Sequence, residues 1–234
     1  LSSLCQRAKD LGMPAVAVTD HGNMHGAVTF YDMARKIGIK PLIGCETYVA
    51  PGAYTEKTGK AGGSYHLLLL AQNRAGYKNL LQLVSMANMD GFHYKPRVDK
   101  ELLRRHSEGI IACSACLAGA VCRKLLTEGL DAGVATAQEY ADIFPGRFYL
   151  EMQANGLKEQ DQANALLLQV AERTSLPLVA TNDCHYLERA DAEAHDILLC
   201  IQTQATVGQQ NRMRMETDQL YFKTPEEMEA AFAH

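Results

Sequence analysis

The chain contains no tryptophan, and none of its apolar stretches approaches the ~18–20 residues that would span a bilayer. No basic segment followed by an apolar core opens it, so no secretory address is legible and a cytoplasmic location is the default. An excess of positive charge is also missing. The formal net charge is -4 and the pI is near 6.1, so no overall basic field draws in nucleic acid, and such a role needs a local patch or another domain. The seven cysteines are odd in number and scattered through apolar runs, which argues against a disulfide framework and for small buried hydrophobes. Cys113-Ser-Ala-Cys116 has no second C-x-x-C to pair with, which argues against a closed structural zinc site.

What is present is ordinary globular material. The 234 residues, 47% of them hydrophobic, suffice for one large α/β domain or two small ones. The first residue is Leu1, and the chain opens inside an amphipathic helix, as a fragment cut at its N-terminus would. Short β-branched runs then alternate with helical periodicity. Strands are expected over 15–19, 40–49, 65–71, 109–114, 148–153 and 178–181, and helices over 27–37, 76–89, 100–106, 117–127, 131–143, 159–174 and 190–201. Thr224-Pro-Glu-Glu227 reads as a further helix start. The loop 51–64, rich in Gly, Lys and Thr, reads as mobile, and GFHYKPRVD reads as a connection carrying aromatic and basic residues. Repeated strand–helix alternation with few hairpins calls for a parallel sheet, either open or closed into a barrel. Chemistry-bearing residues fall at the ends of several different strands, which favours the barrel over a single crevice.

Those residues are metal-ligand types. His21 follows PAVAVTD, Glu46 ends PLIGCE, Cys116 follows GIIACSA, and Asp183 with His185 closes LPLVATNDCH. Asp20 could orient the His21 ring as an acceptor. Glu46, costly to bury alone, could bridge two ions or point at solvent. His66 opens HLLLLA, the wrong end for an ideal barrel, and a structural histidine is an equal reading. Cys116 is placed for thiolate ligation or nucleophilic attack, whereas Cys113 falls within its strand. His25 reads as a helix-start residue. Asp183 and His185, two apart in extended chain, share a side. A mixed nitrogen, oxygen and sulfur set suits Zn²⁺, Mn²⁺ or Fe²⁺, with the soft thiolate favouring zinc. Two or three such ions would activate water and clamp a phosphate, which makes phosphoester hydrolysis the sharpest chemical reading. A Cys-His-Asp protease is allowed by residue types but lacks a local signature.

The segments LGMPAVAVTDHGNMHGAVTFYDMARKIGIKPLIGCETYV, HLLLLAQNRAGYKNLLQLVS, GFHYKPRVDKELL, EGIIACSACLAG, FYLEMQANGL, LPLVATNDCHYL and YFKTPEEM cover most of the chain. Together they resemble the PHP (polymerase and histidinol phosphatase) domain found at the N-terminus of bacterial DNA polymerase III alpha subunits. The resemblance implies a distorted (β/α)7 TIM-like barrel with up to three divalent metal ions, held here by His21, Glu46, His66, Cys116, Asp183 and His185, with Asp20 in support. It implies that residues 1–234 are a partial PHP domain lacking the opening strand and its H-x-H pair, and ending before the polymerase palm. It further implies a parent transferase that copies DNA on a primer-template alongside a proofreading subunit and other replicase subunits. The domain itself would act as a metal-dependent 3′–5′ exonuclease or as a scaffold. A stand-alone PHP phosphatase of the histidinol phosphatase kind is the alternative. Lys57, Lys60, Lys95 and Arg97 are the basic residues expected near the mouth of such a site.

Overall fold

A computed structural model describes residues 1–57 and 63–233; Lys60 and the centre of the loop expected to be mobile lie outside the described residues. The chain begins with helix α1 (Ser2–Asp10), strand β1 (Ala15–Val18), helix α2 (Ala27–Ile37) and the long strand β2 (Lys40–Val49). Gly38 stops α2 in the left-handed region, at φ 85°. Strand β3 (Tyr65–Ala71) and helix α3 (Arg74–Met89) follow, with the Asn73 side chain accepting from the Gly76 amide at the helix start.

Next come the short strands β4 (Phe92–His93) and β5 (Lys95–Val98), helix α4 (Lys100–Arg105) and strand β6 (Ile110–Cys113). Helices α5 (Ala120–Glu128) and α6 (Leu130–Ile143) lead to β7 (Phe148–Gln153), α7 (Lys158–Thr174) and β8 (Leu178–Thr181). A single 3-10 turn (Arg189–Asp191), α8 (Ala192–Thr203) and α9 (Pro225–Ala231) close the chain. Thr224 and Glu227 cap α9 reciprocally, as the Thr-Pro-Glu-Glu motif predicts.

The strands form one curled sheet in the order β4-β5-β2-β3-β6-β7-β8, with β1 paired to β2 alone, and helices pack on it as a distorted TIM-like barrel. The pairings β1–β2, β2–β5, β6–β7 and β7–β8 are parallel. The sheet is not parallel throughout, however. β3 runs antiparallel to both β2 and β6, and β4–β5 is a hairpin where a plain connection was expected. The physical reason lies in the connection between β2 and β3, which shows no helix among its described residues to carry the chain back across the sheet.

β2 serves three neighbours, with β5 beside its last two residues. Its first half pairs with β1 through Ile43, and its second half pairs with β3 from Gly44 to Val49. The main core packs Leu67, Leu69, Leu80, Leu83, Ile110, Phe148 and Leu167 between sheet and helices. A smaller core of Cys5, Val16, Phe30 and Ile39 joins α1 and α2 to β1. All seven cysteines are unpaired, and five of them are buried.

Candidate metal centre

Three sequence-distant side chains meet on one face of the β2–β3 pair. His21 follows β1 in a tight turn, where its neighbour Gly22 donates to the Glu46 carbonyl. Gly22 has φ 67°, and a Cβ there would sit 2.5 Å from Pro96, so only glycine admits the close approach of the β4–β5 hairpin. Glu46 lies within β2 and not at its end, because the strand continues to Val49; its side chain points inward and is buried. The antiparallel run of β3 brings its first residues beside the later residues of β2, pairing His66 with Tyr48. That reversal removes the geometric objection to His66. Its Nδ1 lies 2.6 Å from Glu46 Oε1, and His21 Nδ1 lies 3.7 Å from Glu46 Oε2. One donor atom from each of His21, Glu46 and His66 falls within 4.8 Å of the others, a spacing that can hold a metal ion.

Cys116 and the Asp183–His185 pair close on this cluster from the other side. Cys116 Sγ is 3.7 Å from His66 Nδ1. Burial pushes its thiol up, with the Glu46 and Asp183 carboxylates adding to the effect. A thiol so placed stays protonated until a cation displaces the proton. Asp183 Oδ1 is 3.4 Å from His185 Nε2, and the His21 and His185 ring centroids are 6.4 Å apart. Burial pushes the Asp183 carboxyl up, but the His185 hydrogen bond and the nearby imidazoles bring it below its ordinary value. The same hydrogen bond raises His185 against the effect of burial. Burial, with the His66 and His185 rings, lowers His21 against the pull of Glu46 and Asp183. Asp183 is not extended, as its spacing from His185 suggested. It adopts φ 53°, a left-handed conformation that costs a non-glycine residue about 1 kcal/mol or more and is concentrated at functional sites.

Asp20 does not orient His21. Its carboxylate is exposed and makes no hydrogen bond to the ring among the described residues, because adjacent residues of an extended segment point to opposite sides. Its contribution is a backbone carbonyl that accepts from Glu46 N–H. His25 sits before α2, its amide donating to the Asn23 side chain, away from the cluster. Arg97, expected at the mouth, is buried and donates to the carbonyls of Gly91, Tyr54 and Glu56. It pins residues 54–56, so the first part of the loop expected to be mobile is held to the fold.

Two further groups matter that residue types alone did not reveal. Glu151 on β7 is 3% exposed and accepts from Ala115 N–H, Thr181 Oγ1 and Gln153 Nε2. It thereby ties the Cys116 turn to the end of β8. Asn182 donates to the carbonyls of Gln219 and Tyr221 and accepts from the buried Lys223 ammonium, so the chain after α8 braces the segment bearing Asp183 and His185. A carboxylate inside the apolar strand FYLEMQ was the available signal for Glu151; nothing local pointed to Asn182. His21, Glu46, Cys116, Glu151, Asn182, Asp183 and His185 line a cavity of about 760 Å³ whose walls include residues of β1 and β8.

Residues 1–155 match the PHP domain family. The chain is 44% identical over 230 residues to DNA polymerase III subunit alpha of Borreliella burgdorferi and 46% identical over 220 residues to that of Thermus aquaticus. These alignments cover 97% and 93% of this chain but only 20% and 18% of the two relatives. A solved structure from Bifidobacterium adolescentis, assigned provisionally as a metal-dependent phosphoesterase, superposes with a TM-score of 0.43 at 16% identity, covering 98% of this chain and 90% of its own. With more than half of its length matched by the family, this chain belongs to the PHP domain family.

Proposed function

We propose that the chain is the PHP domain of a replicative DNA polymerase III alpha subunit and that the domain is a metal-dependent phosphoesterase acting as a 3′–5′ exonuclease. The observation that carries the hydrolytic reading is the convergence of His21, Glu46 and His66 within 4.8 Å. The residues fit a divalent ion on their chemistry: two imidazoles, a buried carboxylate and a thiol make a mixed donor set, and the soft Cys116 favours zinc over Mn²⁺ or Fe²⁺. His21, Glu46, His66 and Cys116 would hold one ion, and Asp183 with His185 another, out of up to three. Among the described residues β1 and β8, which flank the cavity, each have an edge without a strand partner, and this supports the expectation that a further strand with an H-x-H pair completes the site. Bound ions would supply Lewis-acid activation of water and neutralise phosphate charge.

The chain's own groups set the stage for that chemistry. Glu46 lies between His21 and His66 and fixes the His66 ring through a 2.6 Å hydrogen bond. Asp183 Oδ1 faces His185 Nε2 and sets the orientation of that ring, leaving Nδ1 as the ring's other donor atom. The similarity to DNA polymerase III alpha subunits supports template-directed nucleotidyl transfer by the longer polypeptide, with primer-template DNA, a proofreading subunit and other replicase subunits as partners, and a cytoplasmic location. Metal analysis of the full-length polypeptide tests the proposal. At least one transition ion per chain is expected, lost in Glu46→Ala and His66→Ala; less than one in the wild type would overturn it. Full metal content without release of nucleotides from a 3′-labelled strand would leave a scaffold in place of the exonuclease.

A further inference from the structure

The β4–β5 hairpin borders the candidate centre, and its side chains are unusual for a solvated turn. Phe92 is 51% exposed and Tyr94 62% exposed. Tyr94 alone makes the turn, at φ 61°, in a left-handed conformation for which glycine or asparagine is the unstrained choice. The His93 ring lies edge-on to Tyr94, with centroids 4.6 Å apart. Lys95 Nζ lies 5.4 Å from the centre of the Tyr48 ring, and that ring is 5.2 Å from His66 and 5.8 Å from His21. The Lys95 cation thus stands on a wall shared with the cluster, and the exposed Tyr94 ring adjoins it at the turn.

The hairpin is also rigidly set. Pro96 packs on Gly22 beside His21, and Arg97 binds the Gly91 carbonyl at the hairpin base. The hairpin itself, Phe92 to Val98, carries Lys95 and Arg97 and no acidic residue, with Asp90 and Asp99 standing at its two ends. We propose that Tyr94 and Lys95 form a stacking platform for the terminal nucleotide of a single-stranded DNA 3′ end entering the candidate metal centre. Exposed rings tolerate any base because every base has a π-face, and a neighbouring ammonium meets the backbone phosphate. A small phosphate monoester without a base offers nothing for the Tyr94 ring to stack on. This assignment rests on the hydrolytic reading above and gives the 3′ end of its single-stranded substrate a place on the hairpin.

A tryptophan placed at position 94 supplies a local reporter. In the full-length polypeptide, difference fluorescence between Tyr94→Trp and the wild type should show saturable quenching by a 12-residue oligothymidylate, and none by inorganic phosphate. Tyr94→Gly, which keeps the backbone conformation and removes the ring, should release nucleotides from a 3′-labelled single strand with a KM raised about fivefold or more and kcat nearly unchanged. Lys95→Ala should raise KM and flatten its dependence on salt. Absence of quenching, or an unchanged KM in Tyr94→Gly with the thermal midpoint preserved, would overturn the platform. Metal content measured on the same samples separates the two readings. A wild type without metal whose Tyr94→Trp form is still quenched would sink the hydrolytic reading alone.

Discussion

A carboxylate buried as deeply as Glu151 must be held for a reason, and here it joins two loops of the candidate centre. Burial pushes its carboxyl up, although the Thr181 and Gln153 side chains favour the ionised form. A folded-state value above the unfolded one means that the fold prefers the neutral acid. The resulting penalty is absent below the unfolded value and grows as pH rises through the folded one. With chelator present, Glu151→Gln is therefore expected to raise the thermal midpoint at pH 8 by roughly 2–4 °C, the scale of about 1 kcal/mol in a chain of this length, with the difference vanishing near pH 4. Calorimetry across that range checks it, and a midpoint lowered at pH 8 would show that Glu151 is needed ionised. At this scale Glu46, Cys116, Asp183 and His185 stood out because polar ligand types interrupt or follow apolar runs. The left-handed backbone at Asp183 and Ala115 did not, since such conformations are imposed by the loops' packing and not by the residues themselves.

At the level of elements, the reversal of β3 decides whether His66 belongs to the site. The strand itself is legible from its run of leucines, but its direction depends on how residues 50–64 return the chain, and apolar patterning carries no direction. The β4–β5 hairpin was missed for a related reason: two short strands joined by one residue give too little alternation to read. Its anchor is Arg97, whose guanidinium satisfies three carbonyls. Arg97→Ala should cost about 2–4 kcal/mol by orphaning those acceptors, read as a lower urea midpoint. Proteolytic cleavage between residues 50 and 57 should quicken in parallel, because the loop loses its tether. Cleavage unchanged at reduced stability would show that other contacts hold the loop.

Across the whole molecule, the candidate ligands come from β2, β3 and the segments after β1, β6 and β8, so a bound ion would cross-link much of the sheet. β1 and β8 each have an edge without a strand partner among the described residues, so the sheet alone does not close the barrel there. Ligation at hundredfold saturation contributes about 2.7 kcal/mol. Chelation should therefore lower the thermal midpoint of the metal-loaded chain by about 5–10 °C and zinc should restore it; a midpoint indifferent to chelator would overturn the metal reading. No helix among the described residues is long and apolar enough to cross a membrane. By itself the sequence determined the element types, the alternating α/β class and the ligand-type residues, because period, punctuation and residue chemistry are local properties. Only the tertiary structure decided that β3 runs backwards, that Glu151 and Asn182 brace the loops, that Asp20 stands aside, and that aromatic rings border the centre. Those outcomes depend on which segments pack together, and contacts between residues far apart in the chain leave no periodicity to read.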